Sequence, residues 1–326
     1  MTHPQRQRLL APLAVFAPGL LLNPAARAQA AWPSQPIRLV VPFPPGGSSD
    51  LLGRLIADQL GKQLGASFFV DNRPGGTTQV GTEFVANSTP DGNTLILAAS
   101  TAFTLLPNVR KVSFNVDTFE IAGGIADYMA VMAVRKTLPI KDIRQFVAYA
   151  KQNPGKLTFG SAGEASAGHI YGMSLANDTG IKVLHIPYKG SVAAVNSLVA
   201  GETDFIIDGA VTGMVKAGRV EPLGVISSRR HPELPQVPTL REAGLDVTMP
   251  RSAGWALAAP KGTPRAIMTR LSEGLRKVLE LREVQEALAR ANSISAWQTP
   301  DEYRAAIATD RKMYAELLPI IGIKDI

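Results

Sequence analysis

Five times in this chain an apolar run ends in a loop of glycine, serine and threonine that opens a helix, and this recurring unit limits the fold more than any other feature. The first example is "VVPFPPGGSSD". Before it, residues 37–41 read as a buried strand. After it, Leu51, Leu52, Leu55, Ile56, Leu60 and Leu64 recur at the three- and four-residue steps of an amphipathic helix. Ser48, Ser49 and Asp50 are residue types that accept hydrogen bonds from the free N–H groups of a helix start. The unit then repeats as a strand at 68–70, a loop at 73–78 and a helix at 80–87, and a strand at 95–98 ends in Ser100-Thr101. Two extended apolar segments, 121–125 and 129–134, lead into a helix at 141–152. Further units follow: a strand at 157–159 with "GSAGEASAGH" and a helix at 170–177, a strand at 183–186 with Pro187-Tyr188-Lys189-Gly190 and a helix at 193–200, and a strand at 205–207 with Asp208-Gly209. A strand at 223–226, a short helix at 239–243 and helices at 264–279, 282–291 and 300–317 complete the pattern.

Alternating short strands and helices predict an α/β protein with mostly parallel sheets flanked by helices. In such sheets the loops at the C-terminal ends of the strands line the binding crevice. The glycine-rich loops fall into an early and a middle set, which predicts two lobes facing each other across a cleft. The expected division is residues 31–125 with 248–326 as lobe 1, and residues 126–247 as lobe 2.

The N-terminus reads as an export signal. Arg6 and Arg8 precede an apolar run from Leu9 to Leu22, and Ala28-Gln29-Ala30 supplies the small-x-small cleavage pattern. The run is shorter than the roughly 20 residues that span a bilayer. Residues 1–30 are therefore expected to be removed after Ala30, placing the mature chain in the periplasm. Of the 34 basic side chains three lie in this leader, and the rest face 27 acidic ones. The small surplus and the lack of a dense Lys/Arg run argue against nucleic acid. The absence of cysteine rules out disulfides, a thiol nucleophile and thiolate metal ligands, and also a lipid-modified cysteine after the leader.

Helix N-termini favour anions by roughly 0.3–1 kcal/mol each. Two opposed sets of such ends can hold a small carboxylate with few basic side chains, and Arg73 and Lys189 are the basic residues of these loops. The residues do not spell a familiar enzyme. Gly163-Glu164-Ala165-Ser166-Ala167-Gly168 has the wrong spacing for a nucleophile elbow, and neither a phosphate loop nor a dinucleotide loop occurs. His169, His185 and His231 show no paired metal-ligand spacing, so neither metal nor cofactor is expected, and His169 reads as a structural residue bonding a loop. Asp50 reads as a helix cap ahead of a ligand contact. Asp208, ending an apolar strand, is balanced between ligand contact and brace.

Six segments in order, "WPSQPIRLVVPFPPGGSSD", "VDNRPGGTTQVGTEFVANSTPDGNTLIL", "PGKLTFGSAG", "HIPYKG", "LPQVPTLREAG" and "APKGTP", resemble the Bug family of periplasmic receptors of tripartite tricarboxylate transporters. The resemblance runs from Trp32 to the C-terminus. It implies a two-lobed periplasmic-binding-protein fold of the Venus-flytrap, type II-like kind. It also implies a small carboxylate or dicarboxylate ligand, membrane transporter subunits as partners, and a monomer without enzymatic activity. In that pattern Phe43, Pro44, Gly46, Gly47, Ser48 and Asp50 form the first ligand loop. Ser161, Ala162, Gly163 and Ser166 form the opposing loop, Asp208 ends the strand facing the cleft, and Ser100 joins them as a candidate. Three departures stand out: Glu164-Ala165 where a glycine is common before the Ser/Thr, Gly209 where Asn is common, and "SAGWAL" in place of an S-W-F-G-L run. An exported enzyme acting on a carboxylate, or a sensing receptor for a signalling partner, are the alternatives.

Overall fold

A computed structural model of the chain describes residues 32–46, 48–247 and 254–323; the expected leader, Ala31 and Gly47 lie outside these. In chain order the elements are β1 (Ile37–Val41), α1 (Ser48–Leu64), β2 (Phe68–Asn72), α2 (Gln79–Ala86), β3 (Thr94–Ala99), α3 (Leu106–Val109), β4 (Phe119–Tyr128), β5 (Ala130–Arg135) and α4 (Ile143–Gln152). They continue as β6 (Leu157–Ser161), α5 (Ala167–Thr179), β7 (Val183–Pro187), α6 (Ser191–Ala200), β8 (Phe205–Asp208), α7 (Thr212–Lys216), β9 (Val220–Ile226), β10 (Trp255–Pro260), α8 (Arg265–Glu280), α9 (Arg282–Arg290), β11 (Ser293–Gln298) and α10 (Pro300–Ile320).

The strands form two sheets, a six-stranded one ordered β11-β4-β10-β3-β1-β2 and a five-stranded one ordered β7-β6-β8-β5-β9. The first draws strands from both ends of the chain and the second from its middle. β4 passes into β5 through Met129 alone.

The expectation of mostly parallel sheets needs correction. β1 runs parallel to β2 and β3, and β6 parallel to β7 and β8. The ladders of β10 with β3 and β4, of β11 with β4, and of β5 with β8 and β9 are antiparallel. A strand arriving directly from the other sheet makes no helical crossover on its own sheet, so nothing forces it parallel. The expected helix at 239–243 is also absent. Thr239 and Glu242 exchange the reciprocal bonds of a capping box, but Thr239 pairs with Val225 and the chain completes only a turn before Gly244, at φ +84.

Both faces of each sheet are covered. On α1, Leu52, Ile56 and Leu60 pack against Leu39, Val41 and Leu97, with Leu271 and Leu275 of α8 beside them. Leu51, expected on that buried face, is 60% exposed, because one residue of offset turns a first-turn side chain outward. On the second sheet Phe159 and Phe205 stack on each other, and Phe146 of α4 packs edge-on against Phe205. The end of α10 joins the two halves, with Tyr314, Leu317, Leu318 and Ile321 packing against Ala165 and Ile170.

Candidate functional site

Strand register brings the predicted loops to one place. Trp255, the first residue of β10, lies opposite Ala99 at the end of β3 and opposite Ala126 near the end of β4. Two residues further on, β4 crosses to β5, whose Val131 lies opposite Asp208 at the end of β8. Ser161 ends β6 opposite Pro187 at the end of β7. The C-terminal ends of β1, β3, β6, β7 and β8 therefore open towards the passage between the sheets, and α1, α5 and α6 begin there. A groove of about 880 Å³ lies elsewhere, lined by Gln35, Arg38, Phe69, Phe84 and Asn93 at the opposite ends of β1 and β3.

In the first loop Phe43 is half-buried against the core and Pro44 is exposed. Gly46 takes φ +84, a left-handed conformation that favours glycine. The buried Asp50 carboxylate accepts from Gly46 N–H at 2.9 Å, Asn72 Nδ2 at 2.9 Å and Arg54 Nε at 3.1 Å. Asn72 also donates to the carbonyl of Phe43 at 3.1 Å. Burial raises the Asp50 pKa, but the donors from Gly46, Arg54 and Asn72, with the charge of Arg54, outweigh it and hold the carboxyl below its ordinary range. Asp50 is therefore not the helix cap expected: it lies in the first turn of α1 and shapes the loop, because its oxygens take Gly46, Arg54 and Asn72 and no free N–H of the helix. The i,i+4 spacing to Arg54 is a signal that could have found this partner; Asn72 offers none. Asp50→Ala is expected to cost about 1–3 kcal/mol in urea unfolding, because the half-buried Asn72 amide and a backbone N–H lose their acceptor. An unchanged midpoint would show that the loop stands without this brace.

Ser100 is buried and donates its backbone N–H to Gly254 at 2.8 Å. In the opposing loop Ser161 is fully buried. Its hydroxyl donates to Gly163 O at 3.0 Å, accepts Gly163 N–H at 3.2 Å and meets His185 Nε2 at 2.7 Å. Ala162 and Gly163 are half-buried, Gly163 at φ +128. Ser166 caps α5, accepting His169 N–H at 3.3 Å. Ala165 adopts a left-handed φ of 53, a strain of about 1 kcal/mol or more. It is offset by the bond from its N–H to His169 Nδ1 at 3.1 Å and by burial of its methyl group beside Ile170.

His169 and His185, sixteen residues apart, stack at 3.7 Å with planes 7° apart, and Glu164 reaches their Nδ1 atoms at 3.6 and 3.9 Å. Burial pushes both imidazoles down to about 4; for His185 the neighbouring His169 adds to this and Glu164 opposes it. Among the described residues these three form the one metal-ligating group within mutual reach. Imidazole lone pairs lie in the ring plane, so parallel stacked rings do not converge on one ion, and His169 Nδ1 already accepts Ala165 N–H. The group does not fit a metal. The Ser161–His185–Glu164 order also resembles a hydrolase triad. However, Ser161 has no exposed surface, its hydroxyl is already bonded on both sides, and Glu164 lies beyond hydrogen-bond reach of His185. It braces the loop.

Asp208 Oδ1 accepts Ala210 N–H at 2.8 Å and the Tyr128 hydroxyl at 3.2 Å, and Oδ2 accepts the Ser191 hydroxyl at 2.8 Å. Tyr128 and Ser191 lie 80 and 17 residues away, and no local pattern pointed to either.

Residues 52–319 match the family model described as "Tripartite tricarboxylate transporter family receptor". The chain belongs to this receptor family. A UPF0065 protein of Pseudomonas sp. strain P51 is 34% identical, covering 96% of this chain and 94% of its own length. The BugT protein of Bordetella pertussis is 31% identical over 97% and 98%. A TctC solute-binding protein from Polaromonas superimposes with a TM-score of 0.76 at 31% identity, covering 89% of this chain and 99% of its own. An R. palustris protein solved with adipate gives 0.78 at 29% identity, covering 90% and 100%. The receptor thus has the two-lobed α/β fold of the solute-binding proteins and is not an enzyme, in accord with the Bug-family resemblance.

Proposed function

We propose that this receptor captures a small carboxylate or dicarboxylate in the periplasm and delivers it, as a single chain, to the membrane subunits of a tripartite transporter. The supporting observation is that three helices, α1, α5 and α6, begin after strands whose C-terminal ends open towards the passage between the sheets, and helix N-termini favour an anion. The relative solved with adipate fits this ligand class, as does an R. palustris protein solved with malate at 25% identity. In this reading lobe 1 (31–125 and 248–326) carries the six-stranded sheet up to Ile125 of β4, and lobe 2 (126–247) carries the five-stranded one with the last three residues of β4, the crossing at Met129 lying just inside it. The leader ends at Ala30. Gly46, Gly47 and Ser48 meet the ligand from one lobe, and Ala162, Gly163 and Ser166 from the other. Phe43, Pro44 and Ser100 wall the cleft, while Asp50, Ser161 and Asp208 hold its loops. Among the described residues no helix is long and apolar enough to cross a membrane. Mass spectrometry of small molecules released on denaturing the purified protein tests this. A stoichiometric carboxylic acid is the expected result, and a stoichiometric ligand without a carboxylate would overturn the reading.

A further inference from the structure

The carboxylate-receptor reading uses Asp208 only to hold its loop and gives Tyr128, which bonds it, no part. Tyr128 is the last residue of β4, at the passage from one sheet to the other, and its ring stands edge-on to Trp255 at 6.4 Å. Its hydroxyl crosses to β8, donating to Asp208 Oδ1 at 3.2 Å and accepting the N–H of Gly209 at 2.6 Å. Burial, followed by the negative charge of Asp208, raises the phenol pKa well above its ordinary value, so it stays a donor at any working pH. Gly209 is fitted to this ring. A Cβ there would meet Asn292 Cβ and Met129 O at 2.8 Å and Tyr128 Cε2 at 3.0 Å. Asn292, the Met129 carbonyl and the phenol together occupy the room that a side chain at 209 would need.

Each carboxylate oxygen accepts about two hydrogen bonds. Oδ1 has both, from Tyr128 and Ala210, whereas Oδ2 has one, from Ser191. Among the described residues nothing else donates to Asp208, which leaves one acceptor position on Oδ2, and its direction is set by the three donors that hold the group. A carboxylate held in that way attracts a hydroxyl or ammonium group and repels a second carboxylate.

Building on the carboxylate-receptor reading, we propose that Tyr128 is a positioning residue, orienting Asp208 so that the open place on Oδ2 accepts a hydrogen bond from a ligand. The preferred ligands are then acids carrying a hydroxyl or ammonium donor, ahead of the same acids without it. The anionic end of such a ligand lies on the helix N-termini and the donor on Asp208. Without the Tyr128 hydroxyl, Gly209 N–H loses its acceptor and Asp208 keeps only two of its three donors, from Ala210 and Ser191.

Calorimetric titration with two matched pairs, malate against succinate and glutamate against glutarate, tests this in the wild type, Tyr128→Phe and Asp208→Asn. The donor-bearing member of at least one pair is expected to bind at least about tenfold more tightly to the wild type. That ratio is expected to collapse in both variants while the donor-free acid holds its affinity. A purely structural role for Tyr128 would weaken both members in proportion and leave the ratio unchanged, which overturns the proposal. Equal wild-type affinities within both pairs overturn it too, while leaving the carboxylate reading intact. No binding of any of the four acids overturns this inference, while the carboxylate reading is decided separately by the ligand released on denaturation. Should Tyr128→Phe fail to fold, the ratio in Asp208→Asn decides.

Discussion

Acidification from pH 6.5 to pH 4 is expected to lower the melting temperature steeply, with His169 and His185 as the cause. Both imidazoles are held down to about 4 by burial, against an ordinary value of 6.5. Within that window the unfolded chain binds protons that the folded chain refuses, so stability rises with pH and is lost on acidification. The loss is on the order of a few kcal/mol for the pair, since each pKa unit is worth about 1.4 kcal/mol. Stacking at 3.7 Å adds a cost to charging both rings, and the half-exposed Glu164 relieves only part of it. Asp50 acts in a lower window. Its carboxyl is depressed, so its contribution persists above the ordinary value of 3.8 and is lost as the pH falls through its folded value. Thermal unfolding of the wild type and His185→Gln between pH 4 and pH 7 separates the two, because glutamine keeps a partner for Ser161 but does not titrate. The slope between pH 6.5 and pH 4 is expected to flatten substantially in the variant. An unchanged slope would show that the proton uptake lies elsewhere.

Replacing Gly254 by alanine is expected to be the most damaging single-methyl change in the protein, costing more than about 4 kcal/mol. Gly254 sits at φ +67 immediately before β10, and an added Cβ would overlap the carbonyl oxygen of Ala126 on β4. Backbone cannot yield as a side-chain tip can, so β10 and β4 would have to part where Trp255 lies opposite Ala126. The bond from Ser100 N–H to Gly254 O would strain with them. Gly201→Ala is the control. It has a comparable φ of +81 but open space around it, so only the conformational cost of about 1 kcal/mol applies. Equal losses in chemical unfolding of the two variants would refute the steric argument. Gly254 is one of the points where "SAGWAL" departs from the family run, and the approach of Ala126 gives the reason.

Much of the site's framework was legible because its signals are short-range. The four-residue spacing of Leu52, Ile56 and Leu60 and the glycine-rich loops after β1 and β6 act within a turn or two of chain; the caps at Ser166 and Asp142 are equally local but took the structure to identify. The strands of α/β units announced themselves as apolar runs bounded by such punctuation. β10 and β11 did not: the first is mostly alanine and ends in proline, the second is a short polar alternation, and both gain their place by pairing with β4. The T-x-x-E signal at Thr239 was real as a capping box, but pairing with Val225 won over a helix that short.

By itself, then, the sequence determined the α/β units, the order of the glycine-rich loops and the family, since these depend on local hydrogen bonding and apolar spacing. Only the tertiary structure decided how the loops are held. It set Asn72 against Asp50, His185 against Ser161 and His169, and Tyr128 against Asp208. Those partners lie 22, 24, 16 and 80 residues apart, respectively for the pairs Asp50–Asn72, Ser161–His185, His169–His185 and Tyr128–Asp208. Their meeting follows from strand order and register, which are settled by how whole sheets bury their faces and not by any property of the residues that finally touch.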